Sequence, residues 1–191
     1  MKKIRAFVAV ELPVSVKEAI YKDAMHLKRE GLRASFPSSE SYHITLKFLG
    51  NIDVEMVERV LDALRRALKG IKAFKVEVAG GGAFPHISNP RVVWCGVKEG
   101  QRELTKLNGL VEDALEGLGF EREKRDFHPH VTIGRVKRVD GFAKRSVRNF
   151  CEEQKSYGSF WVKRVVLFQS ILTPQGAIYK ELGAVALEEV R

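Results

Sequence analysis

One tetrapeptide pattern, His-x-Thr followed by an apolar residue, occurs twice in this chain of 191 residues: His43-Ile44-Thr45-Leu46 and His130-Val131-Thr132-Ile133. Both copies read as β-strand, and a strand sends alternate side chains to opposite faces. His43 and Thr45 then share one face and Ile44 and Leu46 the other. The same holds for His130 and Thr132 against Val131 and Ile133. Each copy can bury its apolar face and offer an imidazole and a hydroxyl to a cleft. One such tetrapeptide is close to chance in a chain this long, and a lone strand His is more often structural than catalytic. Two copies constrain the chain because their surroundings repeat as well.

The second His follows the first by 87 positions. The same offset carries the apolar run Ile4–Val10 onto Arg91–Val97, Asp53 onto Asp140, and Phe74–Val78 onto Trp161–Val165. Strand, helix start and motif all align, although few residues are identical. This predicts duplicated halves, approximately 1–87 and 88–191, joined in a single bilobal domain. Packing one unit on its copy would bring the two motifs together across a pseudo-twofold axis.

The local patterns fill in that plan. Residues 3–10 read as a buried strand. Ser15 and Glu18 fit a capping box, and Val16, Ile20, Ala24 and Leu27 form a helical stripe ending at Gly31. Tyr42–Leu49 is the first motif strand. Asp53 is placed to cap a helix carrying Val54, Val57, Leu61, Leu64 and Leu68. Ala73–Ala79 reads as a strand, Gly80–Gly82 as a flexible loop and Val92–Val97 as a further strand. Leu104, Leu107, Val111, Ala114 and Leu118 mark a third helix, His130–Val136 the second motif strand, and residues 141–154 a fourth helix. Phe160–Ser170 and Ala177–Leu187 read as strands joined by the turn Pro174-Gln175-Gly176. The class is α+β: two lobes, each with a mainly antiparallel sheet and helices, and a cleft between them.

Composition narrows the partners. No stretch approaches the roughly 20 apolar residues of a membrane span, and the apolar run after Met1-Lys2-Lys3 is too short for a signal peptide. A cytoplasmic protein is expected. Cys95 and Cys151, the two cysteines, form no metal motif and read as reduced core residues. The net charge of +9 favours a polyanionic partner. Arg122, Lys124, Arg125, Arg135, Lys137 and Arg138 concentrate that charge beside the second motif, and Lys47 falls on the face of His43 and Thr45 by strict alternation. The sparse Met and Cys and the 30% of charged residues fit a thermophilic source.

Cleaving a phosphoester without a metal requires a base for the attacking oxygen, an acid for the leaving oxygen, and donors for the phosphoryl oxygens. Imidazole, with an ordinary pKa of about 6.5, can fill either proton role. Threonine hydroxyls two residues along the same face can hold the phosphoryl group, and Arg or Lys can balance its charge. The residues alone leave open which His is acid and which is base.

The doubled motif in YHITLKFLG and FHPHVTIGR resembles the two-histidine phosphoesterase superfamily. Within it, the chain is similar to the RNA 2′,3′-cyclic phosphodiesterases of bacteria and archaea, also called 2′–5′ RNA ligases. The likeness spans nearly the whole chain and includes RAFVAVELP, GGGAFP before RVVWCGV, and SILTPQGAIYKEL. It implies a bilobal α+β fold and metal-independent opening of a 2′,3′-cyclic phosphate to a 2′-phosphate. It also implies a weaker, reversible joining of RNA ends and no cofactor. The implied partner is RNA with 2′,3′-cyclic phosphate ends, tRNA fragments among them, bound by a monomer. His43 and His130 match the catalytic pair, Thr45 and Thr132 the phosphate-holding hydroxyls, and Arg135 the arginine after the second motif. The resemblance makes His130 the base and His43 the acid. Strict alternation would put Arg135 on the wrong face, with Val131 and Ile133, so the strand must twist or end there.

The remaining candidates are less constrained. His128 shares the face of His130 and is read as a substrate-positioning residue. A His128/His130 metal pair is the alternative, but no acidic residue lies on the motif strands. His26 reads as surface and His86 as a loop residue. Phe48 is placed in the core, opposite His43, whereas Phe84, Ser170 and Tyr179 are left undecided. Gly80–Gly82 lacks the context of a P-loop. Two other functions compete: the same chemistry on a small cyclic nucleotide or 2′–5′ oligonucleotide, and a non-catalytic RNA-binding protein. The presence of both His and both Thr argues against the second of these.

Overall fold

The computed structural model describes all 191 residues. In chain order the elements are β1 (Lys3–Glu11), α1 (Val14–Arg29), β2 (Ala34–Ser35), β3 (His43–Asp53), α2 (Met56–Ala67), β4 (Phe74–His86), β5 (Asn89–Glu99), α3 (Gln101–Glu116), β6 (His130–Val136), α4 (Gly141–Glu152), β7 (Ser156–Val162), β8 (Arg164–Thr173) and β9 (Gly176–Ala186). They build two antiparallel sheets, one ordered β3-β1-β8-β9 and the other β2-β6-β5-β4-β7. The fold is α+β, with two lobes.

The lobes do not coincide with the half-chains. β4, from the first half, lies beside β5 in the second sheet, while β8 and β9, from the second half, complete the first. The helices cross over too: α2 and α3 pack on the first sheet, α1 and α4 on the second. Each sheet thus buries one face against helices and turns the other to the cleft. β1 is central in the first sheet and is buried from Ala6 to Val10 on both faces. The expected strand Phe160–Ser170 breaks at Lys163 into β7 and β8, where the chain crosses from one sheet to the other.

Several local expectations give way to pairing and packing. α1 starts at Val14, with Pro13 at its N-cap and no side-chain cap, so Ser15 and Glu18 form no capping box. Asp140 does cap α4, its Oδ1 accepting from the Ala143 N–H at 2.9 Å. Its counterpart Asp53 instead ends β3 opposite Lys3, because the β1–β3 ladder runs on past the predicted helix start. Gly80–Gly82 is not a loop: β4 continues through it. The glycines serve packing, since a Cβ on Gly81 would overlap the Phe150 ring and one on Gly82 the Trp94 indole.

The ladders also hold two matching irregularities. In β3, Ala9 lies opposite Thr45 but Val8 lies opposite Lys47, so Leu46 is the extra residue of a bulge. In β6, Trp94 lies opposite Thr132 but Val93 lies opposite Gly134, so Ile133 is the extra residue. A bulge of this kind reverses the facing of the residues beyond it, in β3 as far as a second extra residue, Leu49, which restores the original facing for Gly50 and Asn51.

Candidate active site

The two motif strands face each other across the cleft, without pairing. Ile44, Leu46, Val131 and Ile133 are buried in the core, as the alternation predicts. His43 Nδ1 donates to the Ser41 carbonyl at 2.6 Å, and His130 Nδ1 donates to the His128 carbonyl at 2.6 Å. A carbonyl can only accept, so both neutral rings carry their proton on Nδ1 and an accepting lone pair on Nε2. The two imidazoles are held in the same way, each by the carbonyl two residues back. His43 Nε2 lies 2.9 Å from Thr45 Oγ1, whose hydroxyl donates to it when the ring is neutral.

Aromatic rings fix both imidazoles. Phe7 packs against His43 with centroids 4.8 Å apart, and Tyr179 meets it edge-on at 5.1 Å. Phe84 meets His130 edge-on at 4.9 Å, and Trp94 lies 4.7 Å from His128 and 6.0 Å from His130. Burial lowers the His43 pKa to about 4, partly opposed by the Ser41 carbonyl and reinforced by the positive fields of His130 and Lys17. Burial also lowers the pKa of His130. The His128 carbonyl opposes that shift, and the charges of His128 and Arg135 add to it. Without an anion, both rings are therefore neutral at pH 7, and a negatively charged group placed between them would raise both.

The bulges decide the flanking residues. Beyond Ile133, Arg135 turns onto the face of His130 and Thr132 and is exposed. That is the twist the resemblance required. Beyond Leu46 the same reversal carries Lys47 away from the cleft, which corrects its assignment to the site. Lys47 is buried, with Nζ 2.8 Å from Glu112 Oε2 on α3 and 2.9 Å from the Glu121 carbonyl. The bulge also brings Phe48 out of its predicted core position. It is 68% exposed on the cleft face, 6.2 Å from the Phe7 ring. Phe48 and Arg135 occupy equivalent positions in the two motifs, one apolar and one cationic.

The basic cluster near the second motif is largely neutralised. Arg122 pairs with Asp113 and Glu116, Lys124 with Glu121, Arg125 with Glu123 and Arg138 with Asp140. His128 is exposed beside Trp94. No group of three or more His, Cys, Asp or Glu is arranged to hold a metal ion. His26 pairs with Glu30 on the surface and His86, at the end of β4, bonds to Ser88. Cys95 and Cys151 are buried free thiols, each with its pKa raised by burial. No helix is long and apolar enough to cross a membrane. The sequence reading missed Phe7 and Trp94, although the 87-residue offset superposes them. Both sit in apolar runs that read as core.

The same fold is found in solved structures. The chain superposes on Escherichia coli LigT complexed with 3′-AMP with a TM-score of 0.75 at 23% identity, covering 97% of this chain and 99% of that one. A Thermus thermophilus protein gives a TM-score of 0.75 at 25% identity, covering 98% and 100%. Residues 17–171 match the profile of the 2′-5′ RNA ligase superfamily, and the chain belongs to that family. It is 42% identical over 180 residues to a protein of Archaeoglobus fulgidus named RNA 2′,3′-cyclic phosphodiesterase, covering 94% of this chain and 98% of the relative. A Methanocaldococcus jannaschii protein of the same name is 34% identical over 179 residues, covering 93% and 97%.

Proposed function

We propose that this protein is an RNA 2′,3′-cyclic phosphodiesterase that works by imidazole acid–base catalysis. The observation that carries the reading is the matched pair of imidazoles, each with Nδ1 held by a carbonyl and Nε2 unprotonated. A cyclic phosphate between them has water on one side and its 3′ oxygen on the other. One Nε2 takes a proton from the water as its oxygen attacks phosphorus. The P–O3′ bond breaks, the other imidazole gives its proton to O3′, and a 2′-phosphate remains. Following the resemblance, His130 is the base and His43 the acid. The phosphate charge raises His43 from about 4 towards the range where it can hold a proton. Thr45 and Thr132 hold the phosphoryl oxygens, Arg135 balances their charge, and His128 positions the ring of His130. The exposed Phe48 gives a base a surface to stack on. A 5′-hydroxyl in place of water would form a 2′–5′ linkage. Ends left by RNA cleavage, tRNA fragments included, fit this chemistry.

The test is hydrolysis of a short RNA ending in a 2′,3′-cyclic phosphate, in excess EDTA, with the product position read by phosphatase and nuclease sensitivity. The expected result is a 2′-phosphate, with kcat lowered about 10²- to 10⁴-fold in His43→Ala and in His130→Ala. Turnover that returns only on adding metal would overturn the mechanism.

A further inference from the structure

On the cleft face of the first sheet, side chains line up in rows across the strands. One row is aromatic: Phe48 on β3, Phe7 on β1 and Phe168 on β8 are register partners. Phe7 and Phe168 stack at 5.4 Å, and Phe7 is the ring that supports His43. The next row, two residues along β1, is polar across all four strands. Asn51 on β3 pairs with Arg5 on β1, Arg5 with Ser170 on β8, and Ser170 with Tyr179 on β9. Ile4 and Ile52, one residue away, are buried against the helices, so Arg5 and Asn51 face the cleft, and both are exposed.

Arg5 has no ion pair and no hydrogen bond. That sets it apart from Arg122, Arg125 and Arg138, each neutralised by a carboxylate. The Tyr179 hydroxyl feels the positive fields of both Arg135 and Arg5, while the ring of Tyr179 lies edge-on to His43. Burial raises the Tyr179 pKa and these two charges oppose the shift; neither guanidinium is paired with a carboxylate. Arg135 stands on the face of His130, and Arg5 stands one row beyond the aromatic row that supports His43. Thr45 is the register partner of Ala9, four residues from Arg5 along β1, about 13 Å of strand, and the reach of an extended arginine side chain shortens that towards the step from one phosphate to the next in a polynucleotide. An unpaired guanidinium flanked by hydroxyl and amide donors is suited to a phosphodiester oxygen pair.

We infer that Arg5, with Asn51, Ser170 and Tyr179, forms a second anion subsite that binds the phosphodiester on the 5′ side of the terminal nucleotide. The inference rests on the proposed cyclic phosphodiesterase reading and defines its substrate class: an oligonucleotide end, not a free nucleoside cyclic phosphate. The row beside it, with Phe48, lies where the terminal base would sit between the two phosphates.

The test compares a nucleoside 2′,3′-cyclic phosphate with the dinucleotide carrying the same cyclic end. Each is assayed with wild type, Arg5→Ala and Arg5→Lys. The quantity read is the ratio of kcat/KM, dinucleotide over mononucleotide. Wild type should favour the dinucleotide, and Arg5→Ala should lower that ratio about 10- to 100-fold, the worth of a charge-assisted hydrogen bond. Arg5→Lys should recover part of the preference, and the salt dependence of KM for the dinucleotide should weaken in Arg5→Ala by about one phosphate contact. A wild type indifferent to the extra nucleotide overturns the subsite alone, as does an Arg5→Ala that slows both substrates equally. Failure of wild type to open either cyclic phosphate overturns the proposed activity, and the subsite with it.

Discussion

Lys47 Nζ lies 2.8 Å from Glu112 Oε2, and both side chains are buried, at 4% and 6% exposure. Lys47 also donates to the Glu121 carbonyl, and Glu112 accepts from the Glu123 N–H at 3.3 Å. One ion pair thus joins the first motif strand, α3 and the segment that leads to His128 and His130. Removing one partner leaves the other charge buried without compensation. Lys47→Met should therefore destabilise the fold by about 3–5 kcal/mol, read from urea unfolding. The double change Lys47→Met with Glu112→Leu removes both charges and should recover much of that loss. A double variant no more stable than Lys47→Met alone would refute the account.

The same bulge explains what the sequence could and could not disclose. His43, Thr45, His130 and Thr132 precede the extra residues Leu46 and Ile133, so strict alternation places them correctly. Beyond those residues alternation inverts. Lys47 goes to the interior, Phe48 emerges, and Arg135 reaches the cleft face. Nothing in HITLKF or HVTIGR marks the inversion, because a bulge is a property of two paired strands. The interlaced topology is hidden for the same reason: the order of elements repeats, but partner choice belongs to tertiary structure. Gly80–Gly82 has the composition of a loop, and only the neighbouring Phe150 and Trp94 rings reveal why a strand requires it.

The depressed pKa of His43 makes stability depend on pH. His43 titrates at about 4 in the folded protein against an ordinary value of 6.5. As pH falls, the unfolded chain takes up its proton first. The stabilising contribution is thus fully present above about 6.5 and lost as pH falls through about 4, a change of up to about 3 kcal/mol. His130, also lowered, acts in the same direction. Unfolding of wild type and His43→Gln, measured at neutral pH and near pH 4.5, separates this from carboxylate protonation, and the variant should lose less. Bound phosphate raises the imidazoles, so kcat should peak at higher pH than kcat/KM. An optimum for kcat at or below that of kcat/KM would show that the rings are not the titrating pair.

Trp94 and Gly82 are register partners on β5 and β4, and the indole lies over the glycine. The same indole lies 4.7 Å from the His128 ring and 6.0 Å from the His130 ring. A methyl group on Gly82 must push the indole towards the second motif or push the strands apart. Gly82→Ala should cost about 1–3 kcal/mol of stability through overpacking. It should also lower kcat by about tenfold or more, since small misplacements of a catalytic group are expensive in rate. Gly109→Ala is the matched control: this glycine lies in α3 with nothing within 4 Å of an added Cβ. It should raise stability by about 0.5–1 kcal/mol and leave kcat as it was. Thermal unfolding alongside single-turnover hydrolysis, at a temperature where both variants are folded, distinguishes the two effects. Full kcat in Gly82→Ala would mean that the indole can move without disturbing His130, and that the glycine serves packing alone.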